Sequence, residues 1–96
     1  MDLNKNYNYK KISIESVNKT LGLDVTMDSR DSVVIRAKQG AWLCFFINGY
    51  SYSEIGRMFG SSESNIRRGV DRFEDLLKQG DKLTVDLWQK LKVYEL

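Results

Sequence analysis

The sequence predicts an all-α protein, a small bundle of about five helices. Proline is absent from the 96 residues, so no position lacks the backbone N–H that a helix needs. Apolar residues recur at helical spacing in successive segments, and glycine, asparagine and serine punctuate them. No segment sustains the alternation of a strand. With 42% hydrophobic and 29% charged residues, the composition is typical of one soluble globular domain.

Two helices are predicted in the amino-terminal half. Ser13 caps the first and Gly22 closes it, because a hydroxyl suits an N-cap and glycine suits the left-handed C-cap. The second, longer helix begins at Asp28 or Ser29 and ends at the 48–49 turn. Their apolar faces comprise Ile14, Val17 and Leu21, and then Val33, Val34, Ala37, Ala41, Leu43 and either Phe45 or Phe46.

Three further helices are predicted downstream. A short helix begins at 51–52 and ends at Gly60, and the next is capped by either serine of 61–62. A break at 80–81 precedes the last helix, 82–96. Their apolar faces comprise Ile55 and Phe59, then Ile66, Val70, Phe73, Leu76 and Leu77, and finally either Leu83, Leu87, Leu91 and Tyr94 or Trp88 with Leu91.

The amino-terminal segment differs from the rest of the chain. Residues 1–11 are rich in Asn, Lys and Tyr and lack periodicity, so we interpret them as a flexible arm preceding a domain at 12–96. Lys10 and Lys11 could contact a DNA minor groove or phosphates, but a disordered tail is the favoured interpretation.

Several classes of function are not expected. The chain has no histidine, the usual general base and commonest metal ligand, and no Gly-rich phosphate loop. We therefore expect neither an enzyme nor a cofactor or metal site. Cys44, the only cysteine, lies in the apolar run 41–47 and is interpreted as a buried hydrophobe. That run is far shorter than the roughly 20 residues of a membrane span, and we expect a cytoplasmic protein without a membrane partner.

The charge is distributed unevenly. The net charge is only +2, but residues 29–72 carry seven cations and four carboxylates, a net charge of +3. Six of these seven cations are arginine, whose planar fork suits phosphates and guanine edges better than lysine does. This pattern favours a nucleic-acid partner, and the alternative is a solvated helix face.

The spacing of three small or apolar residues predicts a helix-turn-helix. Two helices that cross steeply need a small residue midway along the first, and Gly56 stands there. Gly60, four residues on, tolerates the positive φ of the turn. Ile66 then returns an apolar side chain to the core. The alternative is a plain helical hairpin.

In such a motif the second helix places its first turns in the major groove. The outward residues would then include small hydroxyls, which let the backbone approach a duplex, and side chains able to read bases. Asn65 could read adenine, and Arg67 or Arg68 could read guanine or bind phosphate. Glu63 could accept a hydrogen bond from cytosine or repel DNA. For each residue, solvent exposure without base contact is the alternative. The outward residues are Ser62, Glu63, Ser64, Arg67 and Arg68, with Asn65 near the edge.

Most of residues 12–92 resemble the C-terminal DNA-binding domain of the bacterial replication initiator DnaA. That family shows an Arg-Gln pair in a long helix, an Ala-x-x-Leu run, and then Ser-Leu-x-Glu-Ile-Gly-x-x-Phe-Gly. The most specific counterpart is "SEIGRMFG" at 53–60, preceded by Lys38-Gln39 and "AWL" at 41–43. The resemblance implies an all-α bundle that holds a helix-turn-helix against DNA.

The resemblance also implies roles for individual residues. The basic loop of the family sends an arginine to the minor groove, and Arg30 stands at the matching position. The family's residues before Glu-Ile-Gly contact the DNA backbone, and Tyr52 and Ser53 match them. The family reads its origin box with Gly-Arg-Asp-His-Thr-Thr-Val. This sequence has the shorter segment 61–66 there, so the family's reading residues are replaced.

These observations predict a protein that binds double-stranded DNA and regulates transcription or replication. A protein-interaction module that docks on a replication or transcription partner is the alternative, favoured by the near-neutral charge and Glu63. A homodimer through the last helix is a third interpretation. The predicted DNA-binding residues are Arg30, Arg36, Lys38, Tyr52, Ser53, Arg57, Ser61, Ser62, Ser64, Asn65, Arg67 and Arg68.

Overall fold

A computed structural model describes residues 12–95, and this span contains five α-helices and no strand. The all-α prediction is therefore confirmed. The predicted arm, 1–11, lies outside the described residues, as does residue 96. The helices are α1 (Ile14–Leu21), α2 (Ser32–Ile47), α3 (Tyr52–Phe59), α4 (Glu63–Lys78) and α5 (Lys82–Leu91), and a 3-10 turn follows at Lys92–Tyr94.

Each α-helix begins at a side chain that accepts a hydrogen bond from a free backbone N–H of its first turn. Such a cap stabilises a helix by about 1 kcal/mol. At Ser13 the interaction is reciprocal, because Ser16 Oγ accepts from the Ser13 N–H at 3.0 Å while Ser13 Oγ accepts from the Ser16 N–H at 3.1 Å. The five N-caps are Ser13, Asp31, Ser51, Ser62 and Asp81.

The predicted start of α2 at Asp28 or Ser29 is wrong. Asp31 is the N-cap, and its carboxylate accepts from the Val33 N–H at 2.8 Å. Ser29 Oγ accepts from the Asp31 N–H at 3.0 Å, which fixes the residues before the helix as a turn. The local acceptors at 29 and 31 thus compete with a helix that would start earlier. As a result, Val33 lies in the exposed first turn of α2 and is not part of its buried face.

The middle and end of α2 form the centre of the core. This helix packs against α4 and α5, and its carboxyl-terminal half is buried on almost every side. Phe45 is fully buried whereas Phe46 is 41% exposed, which resolves the alternative in the predicted stripe. Phe73 of α4 and Leu91 of α5 are also fully buried and complete this core.

Two polar groups are buried at the ends of helices, and both are hydrogen-bonded. Asn48 Nδ2 donates to the carbonyl of Cys44 at 2.7 Å and to that of Tyr94 at 2.9 Å, so it joins the end of α2 to the 3-10 turn. Thr84 Oγ1 donates to the Asp81 carboxylate at 2.7 Å. Cys44 is buried as predicted, and burial, assisted by the charge of Glu95, raises the pKa of its thiol to about 12.

Candidate nucleic-acid interface

Helices α3 and α4 are joined by the three-residue segment 60–62 and form the predicted helix–turn–helix unit. The start of α3 is held by a capping box: Ser51 Oγ accepts from the Glu54 N–H at 3.0 Å, and Glu54 Oε1 accepts from the Ser51 N–H at 2.8 Å. Hydrogen bonds from the Ser51 backbone N–H, and then from its side chain, to the Glu54 carboxylate lower the pKa of Glu54. The first helix of the unit therefore starts at a fixed position despite having only eight residues.

Two glycines determine how closely the turn approaches α3. A Cβ on Gly56 would lie 2.5 Å from the backbone oxygen of Ser61, so only glycine lets the turn cross the helix at this distance. Gly60 has φ 66°, the left-handed conformation that glycine adopts without strain. The Ser61 N–H then donates to the Gly56 carbonyl at 2.8 Å. The predicted reasons for glycine at both positions are confirmed.

Apolar side chains anchor both helices of the unit. Ile55 and Ile66 are fully buried. Phe59 is half-buried and packs edge-on against Trp42 and Phe45 of α2, with ring centroids 6.0 Å apart in each pair. The unit is therefore fixed against α2, and the opposite face of α4 remains exposed.

The first turn of α4 is tied to the segment before it. Ser62, not Ser61, is the N-cap, and its Oγ accepts from the Asn65 N–H at 3.1 Å. Asn65 Nδ2 donates to Ser61 Oγ at 2.6 Å. Among the outward residues of this turn, Glu63 and Ser64 form no side-chain hydrogen bond within residues 12–95.

The structure places eight of the twelve predicted site residues on the exposed surface and the other four in half-buried positions. Most belong to α3, α4 or their turn, so the fold brings them together. Arg30 lies in the connector before α2, while two cations lie on α2 itself. The exposed residues are Arg30, Ser53, Arg57, Ser62, Ser64, Asn65, Arg67 and Arg68, and the half-buried residues are Arg36, Lys38, Tyr52 and Ser61.

The two predicted cations of α2 have different surroundings. Lys38 Nζ donates to the Met27 carbonyl at 3.0 Å, so it holds the connector that carries Arg30 beside α2. Arg36 donates from Nη1 to Gln39 Oε1 at 2.6 Å. The pKa of Asp81 is lowered first by hydrogen bonds from Thr84 and further by the charge of Arg36. The charge of Arg72 on α4 acts on Asp81 in the same direction, so both arginines lie near the start of α5.

A groove of about 550 Å³ lies between α2 and α4. We call it the α2–α4 groove. Lys38, Arg68 and Arg72 line it with positive charge, and Asp71 contributes one carboxylate. A Cβ on Gly69 would clash with the Trp42 ring, so glycine lets the two helices approach closely along the groove. The remaining lining residues are Ile35, Gln39 and Asn65.

Sequence reasoning missed Arg72 as a member of this surface. Its signal was available, because Arg72 is four residues after Arg68 and thus shares its side of α4. Trp42 was noted only as part of an apolar run, although it lines the α2–α4 groove while being 5% exposed. Its contribution depends on the crossing of α2 and α4, which no local pattern specifies.

On the other side of α4, three side chains from three helices are stacked. The rings of Phe46 and Tyr52 are parallel within 6°, with centroids 4.4 Å apart. The guanidinium carbon of Arg67 lies 5.2 Å from the centroid of the Tyr52 ring. Burial, with the charge of Asp71, raises the pKa of Tyr52. We call this arrangement the Phe46–Tyr52–Arg67 stack.

The exposed face of α4 divides into two halves by charge. Its first two turns contain Arg67 and Arg68 with a single carboxylate, Glu63, a net charge of +1. The later turns contain three carboxylates, at 71, 74 and 75, and two cations, Arg72 and Lys78, a net charge of −1. Within residues 12–95 the only ion pair is Lys82–Asp86 on α5, so no carboxylate pairs with the cations near the turn. A polyanion would therefore meet the first two turns of α4 and the cations beside them.

Comparisons with protein-family models, curated proteins and solved structures found no match for this chain. Among the helices that the structure describes, none is long and apolar enough to cross a membrane.

Proposed function

We propose that this protein binds double-stranded DNA through its helix–turn–helix unit and thereby regulates transcription or replication. The observation that carries the proposal is the close approach of the turn to Gly56, which sets the start of α4 beside α3 and leaves residues 63–65, 67 and 68 of its first two turns exposed. In a helix-turn-helix, these turns of the second helix enter the major groove. The resemblance of residues 53–60 to the initiator DNA-binding domain supports the same assignment.

Cations on α3 and along the α2–α4 groove would contact the phosphates. Arg57 of α3 is exposed, and its Nη1 donates to Ser53 Oγ at 3.1 Å, so it is held on the outer face of α3. On the other side, Lys38, Arg68 and Arg72 line the α2–α4 groove. Each phosphate neutralised steepens the salt dependence of binding by about 0.9 in log K against log salt. Four such contacts would give a slope of roughly −4.

The central test is the double substitution Arg67→Ala/Arg68→Ala. We expect weaker binding to duplex DNA and a salt slope that is less steep by about 1 to 2, because one or two phosphate contacts are lost. Fluorescence anisotropy with a labelled duplex at several salt concentrations measures both quantities.

The matched control is Lys90→Ala/Lys92→Ala. It removes the same amount of charge from exposed positions at the end of α5, outside α3, α4 and the α2–α4 groove. The control should retain the wild-type slope. If both double variants bind equally well, the assignment of the interface to α4 is wrong.

The second candidate function is docking on a protein partner. A groove of about 370 Å³ favours it. Four of its lining residues are apolar and three are charged: Leu43, Ile47, Leu77 and Trp88, and then Glu74, Lys78 and Glu95. Selection of bound sequences from a random duplex pool distinguishes the two functions. An enriched motif supports DNA binding, whereas the absence of any enrichment favours the interaction module.

Dimerisation through the last helix has less support. Leu87 and Leu91 are buried within the bundle and Leu83 packs against it, so the apolar face of α5 is already covered. Sedimentation equilibrium that gives a monomer mass at micromolar concentration would argue against the dimer.

A further inference from the structure

The Phe46–Tyr52–Arg67 stack joins three helices beside the first two turns of α4. Phe46 comes from α2, Tyr52 from the start of α3 and Arg67 from the second turn of α4. Because the two rings are parallel and close, the Tyr52 ring has a fixed plane, and the guanidinium group rests over that plane. A surface arginine normally samples many rotamers, so this contact restricts where Arg67 points.

The partners that Arg67 lacks are also informative. Glu63 and Asp71 are four residues before and after it, the spacing at which ion pairs form on a helix. Within residues 12–95, however, Arg67 forms neither an ion pair nor a side-chain hydrogen bond. The ring interacts with the guanidinium group as a cation, and its N–H donors remain free for an acceptor outside the bundle.

Arg68 also lacks an ion pair and a side-chain hydrogen bond within residues 12–95, but its surroundings differ from those of Arg67. It lines the α2–α4 groove beside Lys38 and Arg72, and no aromatic ring stacks on it within the described residues. A cation that lies among other cations and has no aromatic partner suits the phosphate backbone, which carries no sequence information. An ordered guanidinium suits a base edge, because its fork must match two acceptors at once.

We infer that Arg67 reads a guanine in the major groove and that Tyr52 is the residue that positions it. The inference rests on the proposed DNA binding. The two acceptors would be O6 and N7 of the guanine, which a guanidinium group binds in bidentate fashion. Because the stack orders the Arg67 side chain before DNA arrives, less conformational entropy is lost when the contact forms.

The test uses the best duplex selected by the wild-type protein from a random pool, with each guanine replaced in turn by 7-deazaguanine. This base lacks only the N7 acceptor. At one position we expect the replacement to weaken wild-type binding roughly 2- to 12-fold, about the square root of the 5- to 150-fold range for a whole bidentate contact, because the O6 acceptor remains. Arg67→Ala should bind both duplexes equally at that position, whereas Arg68→Ala should keep the wild-type sensitivity and instead have a less steep salt slope.

Tyr52 variants test positioning separately from packing. Tyr52→Phe keeps the ring and should keep the sensitivity to 7-deazaguanine. Tyr52→Leu removes the ring and should lose that sensitivity while its salt slope stays unchanged. A purely structural role for Tyr52 would instead weaken binding to every duplex by the same factor.

The outcomes separate the inference from the proposed function. If wild type binds duplexes with a normal salt slope but no guanine replacement matters, or the selected site has no guanine, the inference is wrong and DNA binding stands. The same holds if Arg68→Ala, rather than Arg67→Ala, abolishes the sensitivity. If wild type binds no duplex, both are wrong.

Discussion

Replacing Gly56 by alanine should destabilise the protein, although alanine is normally the better helix residue. The new Cβ would lie 2.5 Å from the Ser61 backbone oxygen, about 0.9 Å inside the 3.4 Å at which ordinary contact begins. A backbone atom cannot rotate away, so we take the upper end of the overpacking range, about 3 kcal/mol. The helix propensity of alanine offsets about 1 kcal/mol. The net loss is about 2 kcal/mol, which lowers Tm by roughly 8–16 °C.

Thermal unfolding followed by circular dichroism measures this loss, and two variants serve as controls. Ser64→Ala, on the exposed face of α4, should change stability by less than about 0.5 kcal/mol. Gly60→Ala meets no atom within 4 Å but must adopt φ 66°, so it should cost about 1–2 kcal/mol. A Gly56→Ala protein as stable as wild type would refute the close crossing that positions α4.

Two further predictions concern titratable groups. Burial raises the pKa of Cys44 from 9.0 to about 12, so its thiolate fraction at pH 8 is about 1,000-fold smaller than that of a free thiol. Iodoacetamide should therefore label the native protein slowly and the urea-unfolded protein rapidly. Rapid labelling of the native protein would contradict the burial of Cys44. Hydrogen bonds lower the pKa values of Glu54 and Asp81 in the folded state, so their stabilisation is present above their ordinary values of 4.5 and 3.8 and is lost as pH falls through the lowered values. Tm should therefore decrease as the pH is lowered below about 4. The double variant Glu54→Gln/Asp81→Asn should show a weaker dependence of Tm on pH. If its acid transition is the same as that of wild type, other groups determine the transition.

The helices were predictable because their limits are set locally. Ser13 and Gly22 enclose α1 as expected, and Gly60 ends α3, since a cap depends only on residues within a few positions of it. The start of α2 was misplaced for a related reason. Several polar residues between 28 and 32 could serve as N-cap, and the choice of Asp31 depends on hydrogen bonds that the order of residue types does not rank.

The candidate site was only partly predictable. Periodicity identified the outward face of α4, including Arg67 and Arg68, but it could not distinguish their surroundings. The Tyr52 ring beside Arg67 and the α2–α4 groove beside Arg68 both arise from contacts between different helices, which the periodicity of one helix does not specify. The position of Arg36 near Asp81 likewise depends on the packing of α2 against α5, two helices that are distant in the sequence.

If the protein binds DNA as proposed, the division of charge along α4 limits how many base pairs it can read. Its first two turns, 63–68, rise about 9 Å along the helix axis. That distance corresponds to about three base pairs at 3.4 Å each. One more base contact, from Arg30 in the connector before α2, would bring the site to about four base pairs. A given four-base-pair word recurs roughly every 250 base pairs in random DNA. A single protein molecule that recognises one four-base-pair sequence would therefore have many equivalent sites in a genome. Occupancy of any one site would depend on the local protein concentration and on clusters of such sites.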